Sequence, residues 1–429
     1  MTLLLTPRNQ AMPGHKEMGG DWRLQRNRKT GLFTLVDHGL VVANHKSMRM
    51  RANTAVPPVI MQGPAVKGQS QQVVPFRRAT VERVLTLPSF TGTLTAAYQP
   101  VLYTVDGTGY VYRIRMNAIA TTGANSANVA YNEDGPWNVL GLITFQDPNG
   151  QLVNVPSGWY LYLSELLNKN YIARAADQSS FSNTGTAGTG ANGGAFNLNF
   201  EIPIGLNRRN LKGILGNQDR AIKYTLETDI NAQSVIYSTP PNGGNPGFTL
   251  NRYYEYYSVP LGQGPQGAAQ QSIPSDYGTL HFTTVTLNSS NPAGGSTVNH
   301  MLVRVGNTMR AMALVFRLNG SRASVETAAN NPTQITFKGG DDTLFVETWW
   351  YRKIEMYKRM GFDLPNGVLL YEAMHDFTEG AGAEVGDDYW HTQALVNGQF
   401  QIAYPSGFGS TNNTLNILTD DLVYASPTG

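Results

Sequence analysis

Short runs in which apolar and polar residues alternate recur along most of this chain, separated by breaks rich in Gly, Pro, Asn and Asp. In Tyr110-Val-Tyr-Arg-Ile-Arg-Met116, the residues Tyr110, Tyr112, Ile114 and Met116 oppose Val111, Arg113 and Arg115. That period of two is the mark of a half-buried strand. The same reading predicts strands over residues 81–87, near Leu94, and over 101–105, 139–145, 152–153, 221–228 and 252–259. Asp106-Gly107 and Asp147-Pro-Asn-Gly150 are hairpin turns between them. The pattern restarts over 279–287, 301–305, 309–318, 334–337, 399–403, 414–418 and 422–424, with Asn319-Gly320 as a further turn.

Helical spacing is confined to short segments. Ser157 is positioned to cap a helix through Trp159, Leu163, Leu166, Leu167 and Ile172. A second helix is expected over 210–215, stopped by Gly216, and a third after Asp341-Asp342, through Leu344, Trp349, Ile354 and Tyr357. Many short strands between turn signals predict an all-β fold of the sandwich or barrel kind. No repeat of solenoid length is evident. The uncharged, Gly/Gln/Pro-rich stretch 261–274 reads as a linker. The expected organisation is an N-terminal arm (1–75), a β unit (76–260), a link (261–275) and a second β unit (276–429), with no sheet continuous across the link. Residues 179–195 form a long Gly/Thr/Asn/Ser loop, expected on an outer face.

Composition sharpens this picture. Charged residues make up only 14% of the chain, with 45 Gly and 23 Pro, as suits a turn-rich β protein. There is no cysteine, which excludes disulfides, thiolate metal sites and cysteine nucleophiles. The first residues lack a basic stretch followed by a long apolar core, and no window approaches 18 uninterrupted apolar residues. The expectation is a soluble protein made in a cytoplasm. The overall charge of +2 conceals an asymmetry: residues 1–80 hold 12 Lys/Arg and 3 Asp/Glu, a net +9, and the remainder carries −7. A basic arm on a mildly acidic body faces an anionic partner. Its densest run is Arg23-Leu-Gln-Arg-Asn-Arg-Lys29, flanked by Trp22 and Phe33. Trp22, Arg23, Arg26, Arg28, Lys29 and Phe33 are therefore the candidate contact residues, with a membrane favoured over nucleic acid because aromatic rings suit a lipid interface.

Signs of catalysis are sparse. No P-loop, HExxH or GxSxG motif occurs. Gly188-Thr-Gly-Ala-Asn-Gly193 and Gly262-Gln-Gly-Pro-Gln-Gly267 fit a dinucleotide-binding spacing, but neither lies between a strand and a helix. Seven histidines are scattered, with His375-Asp376 and His391 the nearest to a ligand set. The acidic turns at Glu133-Asp134, Asp341-Asp342 and Asp387-Asp388 match no calcium-loop spacing. No catalytic residue, metal or cofactor is expected. Tyr253, Tyr254, Tyr256 and Tyr257 form an aromatic strand, read as sandwich packing or a subunit contact.

Leu364-Pro-Asn-Gly-Val-Leu-Leu-Tyr371, then Gln399-Phe-Gln-Ile402 and Thr414-Leu-Asn-Ile417, resembles the closing strands of double jelly-roll major capsid proteins of the tectivirus and adenovirus lineage. Ile202-Pro-Ile204, Asn210–Leu215 and the strand at 221–228 resemble the segment that closes the first jelly roll of that family. The resemblance implies two jelly rolls in one chain and a homotrimer of pseudo-hexagonal outline. It also implies a place in an icosahedral virion shell, with the amino terminus inside. Its implied partners are neighbouring capsomers, minor capsid and vertex proteins, and an internal membrane. The long arm departs from that pattern. Two other readings compete: a shell protein of the tailed-phage type, which needs a long spine helix, and a carbohydrate-binding or carbohydrate-cleaving β protein.

Overall fold

The computed structural model describes residues 22–26, 33–37, 76–148, 150–167, 184–206, 211–219, 221, 223–260, 274, 278–288, 292–360, 363–372, 389–392, 395, 397–409 and 412–424. Contacts divide the chain into two units, Met1–Gln71 and Gln72–Gly429. In the first, Trp22–Arg26 and Phe33–Asp37 pair as an antiparallel hairpin, with Trp22 opposite Asp37 and Arg26 opposite Phe33.

Two sets of eight strands form the body of the second unit, with shorter additions such as the sheet of Asn125–Tyr131, Gly188–Gly190 and Tyr237–Thr239. The first set is β1 (Glu82–Thr93), β2 (Leu102–Val105), β3 (Gly109–Thr121), β4 (Leu140–Asp147), β5 (Gly150–Val155), β6 (Phe196–Pro203), β7 (Tyr224–Ile230) and β8 (Gly247–Tyr257). The second is β9 (Leu280–Asn288), β10 (Thr297–Met301), β11 (Thr308–Arg317), β12 (Gln334–Gly339), β13 (Asp342–Glu347), β14 (Val368–Glu372), β15 (Gly398–Ala403) and β16 (Thr414–Val423). The first set pairs in the orders β1-β8-β3-β6 and β2-β7-β4-β5, and the second in the orders β9-β16-β11-β14 and β10-β15-β12-β13. Adding eight to each label converts one pair of orders into the other, and each is a jelly roll. Helix α1 (Gly158–Leu167) follows β5, and helix α2 (Trp349–Met360) follows β13, the same place in each half.

The repetition extends to single residues. Ile143-Thr144-Phe145 of β4 and Ile335-Thr336-Phe337 of β12 are the same tripeptide, and in each hairpin the register shifts just after the Phe. Thr249-Leu250-Asn251 of β8 and Thr414-Leu415-Asn416 of β16 are likewise the same. Pairing with β3 shifts between Glu255 and Tyr256, and pairing with β11 shifts between Asp420 and Asp421, the same step in each half. One extra residue on the partner strand explains both shifts. Matching these features places Glu255 at the position of Asp420. It also places Val84 and Leu85 at the positions of Thr283 and Thr284, because each pair faces the corresponding residues of β8 or β16. In the hairpins Phe345 matches Val153 and Val346 matches Asn154.

The two sandwiches are fused, against the expectation of sheets that stop at the link. β5 and β9 pair in parallel, with Val153 opposite Thr283 and Asn154 opposite Thr284, so one sheet runs β14-β11-β16-β9-β5-β4-β7-β2. Each of these strands is otherwise the edge of its own sheet, and pairing them satisfies backbone groups that would be left open. Three local expectations also fail. Residues 211–217 make a turn and the short strand Leu215–Asn217, not a helix; Leu211 (φ 57) and Gly213 (φ +82) adopt the left-handed conformation that ends helical winding. Residues 342–347 are strand β13, and helix α2 begins only at Trp349, since Leu344 and Val346 alternate on the edge of β12. The strand expected at 301–305 ends at Met301.

Candidate functional site: the junction between the sandwiches

The first hydrophobic core passes through α1 into the second sandwich. Trp159, Tyr160, Leu161, Leu163, Leu166 and Leu167 of α1 are buried. They belong to one cluster with Ala311, Ala313 and Val315 of β11, Val368 and Leu370 of β14, and Leu418 and Leu422 of β16. The other face of the same sheet, including Met312, Leu314, Phe316 and Ile417, fills the second core. Sheet β9-β16-β11-β14 is thus covered on both faces, and β11 and β16 are buried almost without interruption along their length.

Polar groups lock this junction. The Asn416 amide donates to the Tyr160 hydroxyl at 2.7 Å. The backbone N–H groups of Arg322 and Ala323 each donate to the Glu133 carboxylate at 2.7 Å, and Arg322 Nε donates to Asp134 at 2.8 Å. Arg317 also pairs with Asp134. The Arg322 guanidinium lies 4.3 Å from the centroid of the Trp159 ring, a cation–π contact. Burial works to raise the Glu133 carboxyl, but these N–H groups and Arg322 outweigh it and hold it below the usual range. A cleft of about 690 Å³ opens beside this network, lined by Trp137, Trp159, Tyr162, Glu133, Arg322 and Asp363 among others.

A buried charge cluster sits at the same seam. Asp420 accepts from His281 Nε2 at 2.6 Å and from Arg310 at 2.6 Å, and all three side chains are almost wholly buried. His281 Nδ1 lies 2.8 Å from the carbonyl oxygen of Pro203, in the first sandwich. The imidazole thus bridges the Asp420 carboxylate of the second sandwich and a backbone carbonyl of the first. Burial works to raise Asp420, yet Arg310 and His281 hold its carboxyl below the usual carboxylate range. The next residue behaves in the opposite sense: burial raises Asp421, only partly offset by Arg304 and Asn307. On α1, Glu165 accepts the Glu201 N–H at 2.7 Å. Burial and the nearby Glu201 carboxylate push Glu165 up to about 8, against the pull of that N–H and of Arg115.

Apart from Glu165, whose partner is a backbone N–H, these acidic groups are committed to arginines as ion pairs. Among the described residues, no group of three or more His, Asp or Glu is placed to hold a metal ion. Glu133 and Asp134, an acidic turn in the sequence, are the ion-pair partners of Arg317 and Arg322. Asp341 and Asp342 form the tip of the β12–β13 hairpin. Gly188–Gly193 lies in a short strand and turn, where the Asn125 amide donates to the Gly193 carbonyl at 2.7 Å, and no helix follows it. His375, Asp376, Asp387, Asp388 and most of 261–274 lie outside the described residues, as do Arg28 and Lys29 and the side chains of Trp22, Arg23, Arg26 and Phe33.

No family model matches the sequence, and no curated protein is similar to it. Solved structures are similar in fold. The crystal structure of the STIV major capsid protein superposes with a TM-score of 0.55 at 13% identity, covering 80% of this chain and 97% of that one. This is the double jelly-roll fold of viral major capsid proteins. A chain in the atomic structure of Sulfolobus Turreted Icosahedral Virus shares the double jelly roll, with a TM-score of 0.54, 13% identity and coverage of 80% and 91%. So does PBCV-1 VP54, fitted into a reconstruction of the virophage Sputnik, with a TM-score of 0.53, 12% identity and coverage of 82% and 96%. The fold removes the tailed-phage shell alternative. The charge clusters at the junction were not anticipated from sequence, because His281, Arg310 and Asp420 are far apart in the chain and meet only through the β9-β16-β11 order.

Proposed function

We propose that this chain is a structural major capsid protein, without enzymatic activity, that assembles as homotrimeric capsomers into an icosahedral virion shell. The observation that carries the reading is the duplicated jelly roll. Within one chain the two halves already join through β5 and β9, while the matching edges, β13 and β1, have no partner strand among the described residues. Three such chains supply six sandwiches, which suits a pseudo-hexagonal capsomer. The proposed organisation is an arm (1–75), a first jelly roll (76–260), a link (261–275) and a second jelly roll (276–429). Mass measurement by light scattering, with electron microscopy of the purified protein, tests it. Trimers or shells are expected, and a well-folded monomer at micromolar concentration overturns it.

The basic arm is proposed to lie on the inner side of the shell against an anionic partner, a membrane ahead of nucleic acid. The charge split of +9 over residues 1–80 against −7 elsewhere supports the location. Trp22 and Phe33 beside Arg23, Arg26, Arg28 and Lys29 support the lipid preference. Replacing Arg26, Arg28 and Lys29 by Gln is expected to weaken binding to anionic vesicles, as added salt also does. Absence of vesicle binding by the unaltered protein, with assembly still dependent on the arm, refutes the membrane reading.

A further inference from the structure

The molecule contains one complete copy of a joint and both separated halves of a second. At the complete joint, the free edge of β5 meets the free edge of β9, and α1 packs on the second sandwich. The counterparts of β5 and α1 are β13 and α2; the counterpart of β9 is β1. Among the described residues, β13 pairs only with β12, and β1 only with β8, so both present an open edge there.

Exposure follows the same division. Trp159-Tyr160 of α1 and Trp350-Tyr351 of α2 are the same dipeptide one residue into each helix. Trp159 and Tyr160 are 2% and 4% exposed, whereas Trp350 and Tyr351 are 68% and 51% exposed. On the edges themselves, Val346 is 54%, Val84 62% and Leu85 38% exposed. Apolar side chains left in water at these matched positions are surfaces prepared for burial.

We propose that β13 of one copy pairs in parallel with β1 of a second copy, in the register transferred from the internal joint. Val153–Thr283 becomes Phe345–Val84, and Asn154–Thr284 becomes Val346–Leu85. The Asn416–Tyr160 hydrogen bond becomes a bond from the Asn251 amide of one copy to the Tyr351 hydroxyl of the other. Pro88, which has no N–H to donate, limits the paired stretch to the first half of β1. Each copy contributes one edge of each kind, so the contact is heterologous and closes into a ring when the rotation permits. The pairing rests on the self-assembly proposed above and specifies which surfaces perform it.

The absence of cysteine makes the test clean. Leu85→Cys and Val346→Cys are introduced singly and together, and the proteins are treated with oxidant or a short bis-maleimide while their mass is followed by light scattering. The double variant is expected to give covalent species up to three chains. Each single variant alone gives none, and a mixture of the two single variants gives covalent dimers only. Trimers by mass with no link between chains in the double variant or the mixture overturn the edge pairing and leave the self-assembly reading intact. Covalent dimers from a single variant mean that like edges meet, which also overturns it. A monomer by mass overturns both. As an independent readout, Trp350→Ala is expected to weaken self-association by roughly thirtyfold without changing the monomer's circular dichroism. Unchanged association excludes α2 from the contact.

Discussion

Sheets β1-β8-β3-β6 and β9-β16-β11-β14 share a strand order and a register irregularity, yet they live in different surroundings. The second is enclosed by two cores. The first is buried on one side and carries a polar lattice on the other, where Arg113 and Arg115 pair with Glu201 and Glu255, and the Asn117 amide donates to Asn197 and Asn199. The same fold therefore tolerates apolar or polar residues at matched positions, according to what lies over them. Burial at a given position is set by the neighbouring sandwich and not by the strand alone. Substitutions at matched positions turn this contrast into numbers.

The largest difference is expected between Asp420 and Glu255. Asp420→Ala leaves Arg310 as a buried cation with no counter-charge and His281 Nε2 without its partner, which costs about 3–5 kcal/mol. Glu255→Ala removes pairs to Arg113 and to Arg115, whose side chain is 48% exposed, so water compensates part of the loss. About 1–2 kcal/mol is expected there. Denaturant unfolding of the two variants measures both. Equal losses refute the contrast.

Leu418 and Tyr253 occupy the next matched pair outward from those acids. Leu418 is fully buried between β11 and α1, and Leu418→Ala is expected to cost about 3 kcal/mol as a cavity opens. Tyr253 stands half-buried on the polar face, so Tyr253→Ala should cost less than about 1 kcal/mol in the isolated chain. Thermal unfolding under conditions that keep the protein monomeric separates the two.

Much of this fold was legible in the sequence, for reasons that particular strands make plain. Period-two alternation located β3, and the continuous apolar run through Leu314 located β11. The repeat itself is written in Ile-Thr-Phe and Trp-Tyr, each occurring once per half, and in Thr-Leu-Asn, which occurs also at Thr286–Asn288, so such short matches gain meaning only when the registers coincide. β13 was read as helix because Leu344, Trp349, Ile354 and Tyr357 loosely fit a helical spacing that in fact spans a strand and a helix. The parallel joint left no sequence signal: Thr283 and Asn154 are ordinary polar strand residues. The buried ion pairs were equally silent, since His281 and Asp420 gain their environment only when the strands assemble.

The smallest expected effect concerns α1 and α2. Glu165 and Met356 match when the Trp-Tyr pairs are aligned, and both are buried. A carboxyl at a position its counterpart fills with a thioether should cost stability whenever it is ionised. The folded-state value of Glu165 is pushed up to about 8 by burial and by Glu201. An unfolded glutamate releases its proton near pH ~4.3. Between these values the folded chain binds more protons than the unfolded one, so this group's contribution to stability falls as pH rises from about 4.3 to 8 and is then constant. Glu165→Gln keeps the acceptor for the Glu201 N–H and removes the ionisation. The variant should match the parent below about pH 4 and exceed it by roughly 1–2 kcal/mol above pH 8, less than the full shift implies because solvent reaches the half-exposed Arg115 beside it. Parallel stability–pH curves for parent and variant would show that Glu165 ionises as freely in the fold as in the unfolded chain, and the supposed cost of charge on α1 would vanish.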